Sequence, residues 1–254
     1  KVGGSLERLE DSVTRPTGFD AAAALEAKEF FAASIHSHCA GPGAYLATTL
    51  IREAFTFKLH SVTGKPVHHL GACPLQREDR TTLVGVSTGA SHALRERFRT
   101  ASAADTFRAH KFAVVFENSR VPGYTTEKVV NAYLGHAVPI YFGPFTDDEL
   151  WRVLNPRAII ACEFPRNVSE SVSKWRAAAR DNYDSFRARV MVELDPYFDA
   201  CARKVVEVDR NDRLYVSMLA ENLAPVDPTT GLVTGVWSPA ALARVVRDAM
   251  EVLG

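Results

Sequence analysis

The sequence predicts an α/β fold, a parallel sheet with helices on both faces. Two observations carry this. Short apolar runs recur along the chain, separated by stretches with helical spacing, which is the rhythm of strand–helix–strand units. One run, Phe112-Ala113-Val114-Val115-Phe116, is apolar at every position, as a central strand covered on both sides must be. Composition sets the outer bounds. The 254 residues are 46% hydrophobic and 24% charged with a formal net charge of zero, ordinary values for a globular chain of one large or two small domains. A neutral chain without long like-charge runs gives no sign of a nucleic-acid footprint, which would need a basic face. No stretch of about 18 apolar residues could span a bilayer. The chain begins at Lys1, so a signal or anchor could lie upstream.

The elements follow in order. Residues 1–27 read as a poorly structured lead-in with an alanine-rich helical end. Residues 30–35 form the first apolar run and are predicted as a strand, ended by the turn-rich Cys39-Ala40-Gly41-Pro42-Gly43. Residues 44–60 carry Leu46, Leu50, Ala54 and Phe57 at helical spacing. A second strand is predicted over 66–71 and a mostly surface helix over 89–110. After the central strand at 112–116 comes a polar loop, then a helix from Glu127 to Leu134 closed by Gly135. Residues 138–142 make a strand, 147–154 a short helix, 158–161 a short strand and 169–189 a helix with Val172, Trp175, Ala179 and Tyr183 near one stripe. The last third is harder to read: Pro225 to Gly235 has hairpin character, and Ser238-Pro239 is a helix start for a segment with Leu242, Val245, Val246, Met250 and Leu253 on one face. Ligands of such sheets sit at the carboxyl ends of the strands, so the informative loops follow Ile35, Leu70, Phe116 and Phe142.

The segment from Phe116 to Lys128 leaves a buried strand, crosses a loop and opens a helix. A helix start presents unpaired N–H groups and partial positive charge to an anion. Lys128 adds a full cation, which suits a pyrophosphate. Glu127 can accept hydrogen bonds from ribose hydroxyls, Tyr124 offers a flat face and a hydroxyl, and Asn118 bonds in both directions. An acidic residue in a first turn also serves simply to complement the helix dipole.

The string Phe116-Glu117-Asn118-Ser119, then Tyr124-x-Thr126-Glu127-Lys128, then Ala132-Tyr133, Val138-Pro139-Ile140-Tyr141-x-Gly143 and Asn155-Pro156-x-x-Ile159 resembles the signature of the α1,3/α1,4-fucosyltransferases, glycosyltransferase family 10. A wider similarity covers roughly residues 28–190, including Ser37-His38-Cys39 where the family has Ser-Asn-Cys, and Leu70-Gly71-Ala72-Cys73 where it has Tyr-Gly-x-Cys. The resemblance implies a Rossmann-like domain, the C-terminal half of a GT-B glycosyltransferase, with residues 28–254 as the donor-binding domain. Residues 1–27 would then be the remnant of an N-terminal acceptor domain or a linker. It also implies an inverting transfer of L-fucose from GDP-fucose to a glycan or glycoprotein hydroxyl, in an α1,3 linkage. The donor-binding residues would be Arg52, Asn118, Tyr124, Glu127 and Lys128. Arg52 and Lys128 would neutralise the diphosphate, and no cofactor or metal is expected.

In that family the general base is a carboxylate of the N-terminal domain, so the catalytic base is expected outside this chain; Glu117 is the nearest local carboxylate and is expected to have a structural partner instead. The family places such proteins in the Golgi lumen as the soluble part of a type II membrane protein if eukaryotic, otherwise in the cytoplasm, with membrane contact only through a segment outside this chain. Two other readings stay open: a GDP-sugar-binding module without transfer activity, and a related transferase using another GDP-sugar.

The remaining residues receive plainer expectations. Cys39, Cys73, Cys162 and Cys201 lack C-x-x-C spacing and are either buried free thiols or one or two disulfides, with Cys39–Cys73 a candidate pair. Asn167-Val168-Ser169 is a glycosylation sequon. His36 and His38 would share a strand face but lack a third metal ligand. Trp151, Trp175 and Trp237 are expected to pack in the core or against a partner.

Overall fold

A computed structural model describes residues 12–35, 46–70, 96–118, 125–143, 147–165, 167–178, 183–227, 229–230 and 232–234. Five strands, β1 (Phe30–Ile35), β2 (Val67–Leu70), β3 (His110–Phe116), β4 (Val138–Phe142) and β5 (Ile160–Ala161), form one sheet in the order β2-β1-β3-β4-β5. Every pairing is parallel, with Phe112 opposite Val138 and Ala32 opposite both Val67 and Phe112. Among the described residues eight helices cover the sheet: α1 (Ala21–Glu26), α2 (Leu46–Thr63), α3 (Ala103–Arg108), α4 (Glu127–Leu134), α5 (Asp147–Val153), α6 (Val168–Ala178), α7 (Tyr183–Asp209) and α8 (Asp212–Ala220).

The pleat of β3 sorts its side chains between two cores. Phe112, Val114 and Phe116 join Leu50, Ile51 and Phe55 of α2 and Val190, Leu194 and Phe198 of α7 on one face. Ala113 and Val115 face the other way, onto Phe107, Val129, Ala132 and Tyr133. The all-apolar run is therefore buried on both sides. Beneath β3, α4 and α3 meet closely: a Cβ on Gly135 would lie 2.5 Å from the Ala104 carbonyl oxygen, so only glycine lets α4 end there.

Several expectations change. The helix predicted over 89–110 is split: Ser102 caps the short α3 and the chain is already in β3 at His110. The helix predicted over 169–189 ends at Ala178, and a second helix, α7, begins at Tyr183 and runs 27 residues through Pro196. Its apolar residues Phe186, Val190, Leu194, Phe198, Cys201, Val205 and Val208 are all buried at spacings of four and three. The strand predicted over 158–161 contracts to two residues. The lead-in is not loose where it is described. Val13 is 1% exposed and its carbonyl accepts from the Leu223 and Ala224 amides. Cys162 and Cys201 are not free thiols: they form a disulfide, Cα to Cα 5.1 Å, tying the end of β5 to α7. The expected Cys39–Cys73 pair, His36 and His38, Tyr124, Trp237 and the helix after Ser238 lie outside the described residues. The predicted hairpin is present as an antiparallel bridge between Val226 and Val233. Trp175 packs against the core, whereas Trp151 is 38% exposed. Asn167 of the sequon is exposed. No helix among the described residues is long and apolar enough to cross a membrane.

Candidate functional site

The polar residues expected to act together converge at the carboxyl end of β3. That strand ends at Phe116, and the next two residues, Glu117 and Asn118, turn toward two different elements. Glu117 keeps the strand direction by donating its amide to the Phe142 carbonyl at 2.8 Å. Its side chain is fully buried yet ringed by donors, the condition under which an interior carboxylate is tolerated. The Thr126 amide reaches Glu117 Oε1 at 2.9 Å and the Thr126 hydroxyl reaches Oε2 at 2.7 Å. Lys128 Nζ stands 3.4 Å from the same Oε2 and donates to Thr126 Oγ1 at 2.9 Å.

From the other side, α2 delivers Arg52, whose Nη2 donates to Asn118 Oδ1 at 3.2 Å. Arg52 is only 2% exposed, so it is not a solvated helix residue. Burial lowers its guanidinium to about 10, while the Glu53 and Glu117 carboxylates pull the other way; it stays cationic at neutral pH. Its Nε has no hydrogen-bond partner among the described residues. Arg52, Asn118 and Lys128 are thus brought together around Glu117.

Glu127 heads α4 from an exposed position, one residue beyond Thr126. The backbone of Thr126 is extended, φ −113° and ψ 174°, in the usual N-cap conformation, yet its own side chain does not cap α4. Two more hydroxyls complete the surroundings. Tyr141 Oη and Thr125 Oγ1 are both buried beside the Glu117 carboxylate; burial, then the Glu117 charge, push the Tyr141 phenol upward, and the neighbouring Thr125 hydroxyl opposes them. Gly143 is required beside them, because a Cβ there would strike the Tyr141 ring.

Sequence reasoning missed Thr126, Tyr141 and the central position of Glu117. The signal available was Glu117 itself, a carboxylate directly after five apolar residues, which needs buried partners. Its burial and its bonds to Thr126 and Lys128 also bear on the acid–base question: Glu117 has no open face toward an acceptor. Among the described residues no three His, Cys, Asp or Glu side chains group as a metal site. His68 and His69 point to opposite faces: His68 Nδ1 meets His110 Nε2 at 3.0 Å and His69 Nε2 meets the Thr56 hydroxyl at 3.0 Å.

Comparisons with known proteins match this stretch. Residues 68–187, from β2 into the first turn of α7, match "Glycosyltransferase family 10 (fucosyltransferase) C-term". An α-(1,3)-fucosyltransferase of Helicobacter pylori is 33% identical over 63 residues, 25% of this chain and 13% of that protein. A putative fucosyltransferase of Acanthamoeba polyphaga mimivirus is 31% identical over 83 residues, 32% of this chain and 13% of that protein. A crystal structure of an α1,3-fucosyltransferase with GDP-fucose shares the fold, with a TM-score of 0.50 and 22% identity over 89% of this chain and 47% of that one. The chain therefore spans a small part of the curated relatives it matches and about half of the solved structure.

Proposed function

We propose that this chain, whose residues 68–187 match the C-terminal model of the glycosyltransferase family 10 fucosyltransferases, is a member of that family and supplies the GDP-fucose site of an inverting transferase, with a glycan or glycoprotein hydroxyl as acceptor and an α1,3 linkage. One observation carries the reading: two cations from different helices, Arg52 and Lys128, are held at the adjacent residues Asn118 and Glu117, at the strand end where nucleotides bind in such sheets. The diphosphate would lie between them and the start of α4. Glu127, exposed one residue from Lys128, takes the ribose hydroxyls, and Asn118 and Tyr124 line the donor pocket.

Breaking the sugar–phosphate bond leaves negative charge on GDP. A fixed guanidinium, an ammonium and a helix start stabilise that charge more as it grows, which accelerates the step rather than merely tightening binding. In this reading the side chains neutralise the diphosphate and no metal is required, so EDTA should leave GDP affinity unchanged. In this reading the general base comes from outside this chain, residues 28–254 form the donor domain and residues 1–27 lead into it; the location is the Golgi lumen in a eukaryote, with membrane contact only through a segment outside this chain, and otherwise the cytoplasm.

Calorimetry with GDP, UDP, GDP-fucose and GDP-mannose tests the proposal. Guanine nucleotides should bind and UDP should not, with GDP-fucose preferred over GDP-mannose; equal binding of UDP and GDP would refute the site. Lys128→Ala should weaken GDP by about tenfold or more, the scale of one charge-assisted contact in a partly desolvated site.

A further inference from the structure

Threonine at an N-cap ordinarily turns its hydroxyl oxygen onto the first helical amides. Thr126 does not: its side chain makes no cap hydrogen bond to α4. Its hydroxyl is committed elsewhere, and the direction of each bond can be assigned. A carboxylate only accepts, so the Thr126 O–H must donate to Glu117 Oε2 at 2.7 Å. An ammonium only donates, so Lys128 Nζ must give a proton to Thr126 Oγ1 at 2.9 Å. The chain of bonds therefore runs one way, from Lys128 through Thr126 to Glu117. Glu117 meanwhile takes the Thr126 amide at 2.9 Å, which pins the backbone at the mouth of the helix. Its side chain is 0% exposed and that of Lys128 is 18% exposed.

We propose that Thr126 and Glu117 are positioning residues for the diphosphate site: the buried carboxylate draws the Thr126 hydroxyl away from the α4 amides and uses it to aim Lys128. Both consequences favour an external anion. The amides at the helix start receive no cap from Thr126, and the ammonium is held beside them at a fixed point instead of wandering on its four-carbon stem. Neither residue needs to touch the ligand. The inference rests on the donor-site reading above, since it names what orients the groups that reading uses.

The test is GDP binding by calorimetry across Thr126→Val, Thr126→Ser and Glu117→Gln, with thermal unfolding of each variant recorded alongside. Thr126→Val keeps shape and every charge but removes the hydroxyl; it should weaken GDP about tenfold, while its unfolding midpoint stays well above the assay temperature. Thr126→Ser keeps the hydroxyl and should bind GDP as the parent does. Glu117→Gln, which can donate to Thr126 Oγ1 and reverse the bond, should weaken GDP like Thr126→Val. Parent-like binding by Thr126→Val, or equal losses in the Val and Ser variants, overturns the proposal. Lys128→Ala separates the two levels. If Lys128→Ala loses GDP while Thr126→Val does not, only the positioning role is wrong; if Lys128→Ala also binds like the parent, the donor-site reading has failed first.

Discussion

Arg52 shows how far a single residue can be read from sequence. Its helix was legible from the spacing of Leu50, Ala54 and Phe57, and its place beside the diphosphate came only from resemblance. Nothing in the spacing announces that the guanidinium is buried at 2% exposure and held against Asn118. That geometry depends on a neighbour 66 residues away in sequence, which periodicity does not report. Because a planar fork and a point charge are not interchangeable, Arg52→Lys should fold but weaken GDP binding by about tenfold, read by calorimetry. Gly143 gives a second single-residue prediction. A methyl group there would come within 2.7 Å of Tyr141 Cζ, and Tyr141 is buried at 1% exposure with no room to yield. Gly143→Ala should cost about 1–3 kcal/mol, the range for overpacking a filled site, seen as a lower urea midpoint with an unchanged slope.

At the scale of elements, the ones with unmixed local signals were legible. Strand β4 and helix α4 fall at their predicted bounds because an apolar run with a Gly-Pro stop and a helix with a glycine stop each leave one reading. Helix α7 was not read. Pro196 lacks an amide donor and interrupts the pattern, and the stripe from Phe186 to Val208 emerges only when it is followed across that proline. The lower end of β3 was also missed, because His110 looks like the polar end of a helix. In the fold it is 0% exposed. The Thr106 carbonyl can only accept, so His110 Nδ1 carries the proton toward it at 2.8 Å; His110 Nε2 then accepts from His68 Nδ1 at 3.0 Å.

This arrangement requires neutral rings and sets a pH dependence. Burial lowers His110 to about 4, with His68 also lowered by burial. A base held below its unfolded value near 6.5 binds fewer protons folded than unfolded in that interval. Its contribution is therefore fully present above pH 6.5 and is lost as pH falls toward 4. Each unit of separation corresponds to about 1.4 kcal/mol, so His110 alone accounts for about 3 kcal/mol across the window. Urea midpoints measured from pH 7.5 down to 4.5 should fall steadily, and more gently in His110→Gln. A flat profile for the parent protein would contradict the neutral pair.

For the whole molecule, the parallel sheet was legible because its central strands β1, β3 and β4 are apolar enough to be covered twice. What was not legible is how segments distant in sequence are fastened to it, since those contacts are made by single polar groups. The N-terminal segment is the clearest case. Arg15 donates from Nε to the Leu219 carbonyl at 2.7 Å and from Nη1 to the Tyr133 carbonyl at 3.0 Å, while its amide donates to Asn222 Oδ1 at 2.7 Å. Its guanidinium lies over the Tyr133 ring at 3.6 Å and over Phe19 at 4.5 Å. One side chain thus joins the N-terminal segment to the ends of α4 and α8, on a site where burial lowers it to about 10. Removing it takes the side-chain donor from the Leu219 carbonyl, leaves the Tyr133 carbonyl with only the His136 amide, and empties the space between two rings. Arg15→Ala should therefore destabilise the protein by about 2–4 kcal/mol, from charged hydrogen bonds and stacking together. Arg15→Lys should recover little, because an ammonium cannot serve both carbonyls and lie flat on the ring. Hydrogen exchange locates the loss: in Arg15→Ala the amides of Leu223 and Ala224, which bond to the Val13 carbonyl, should exchange faster, while those of β3 keep their rank as the slowest. Uniform acceleration across the sheet would show instead that Arg15 supports the whole core and not the attachment of this one segment.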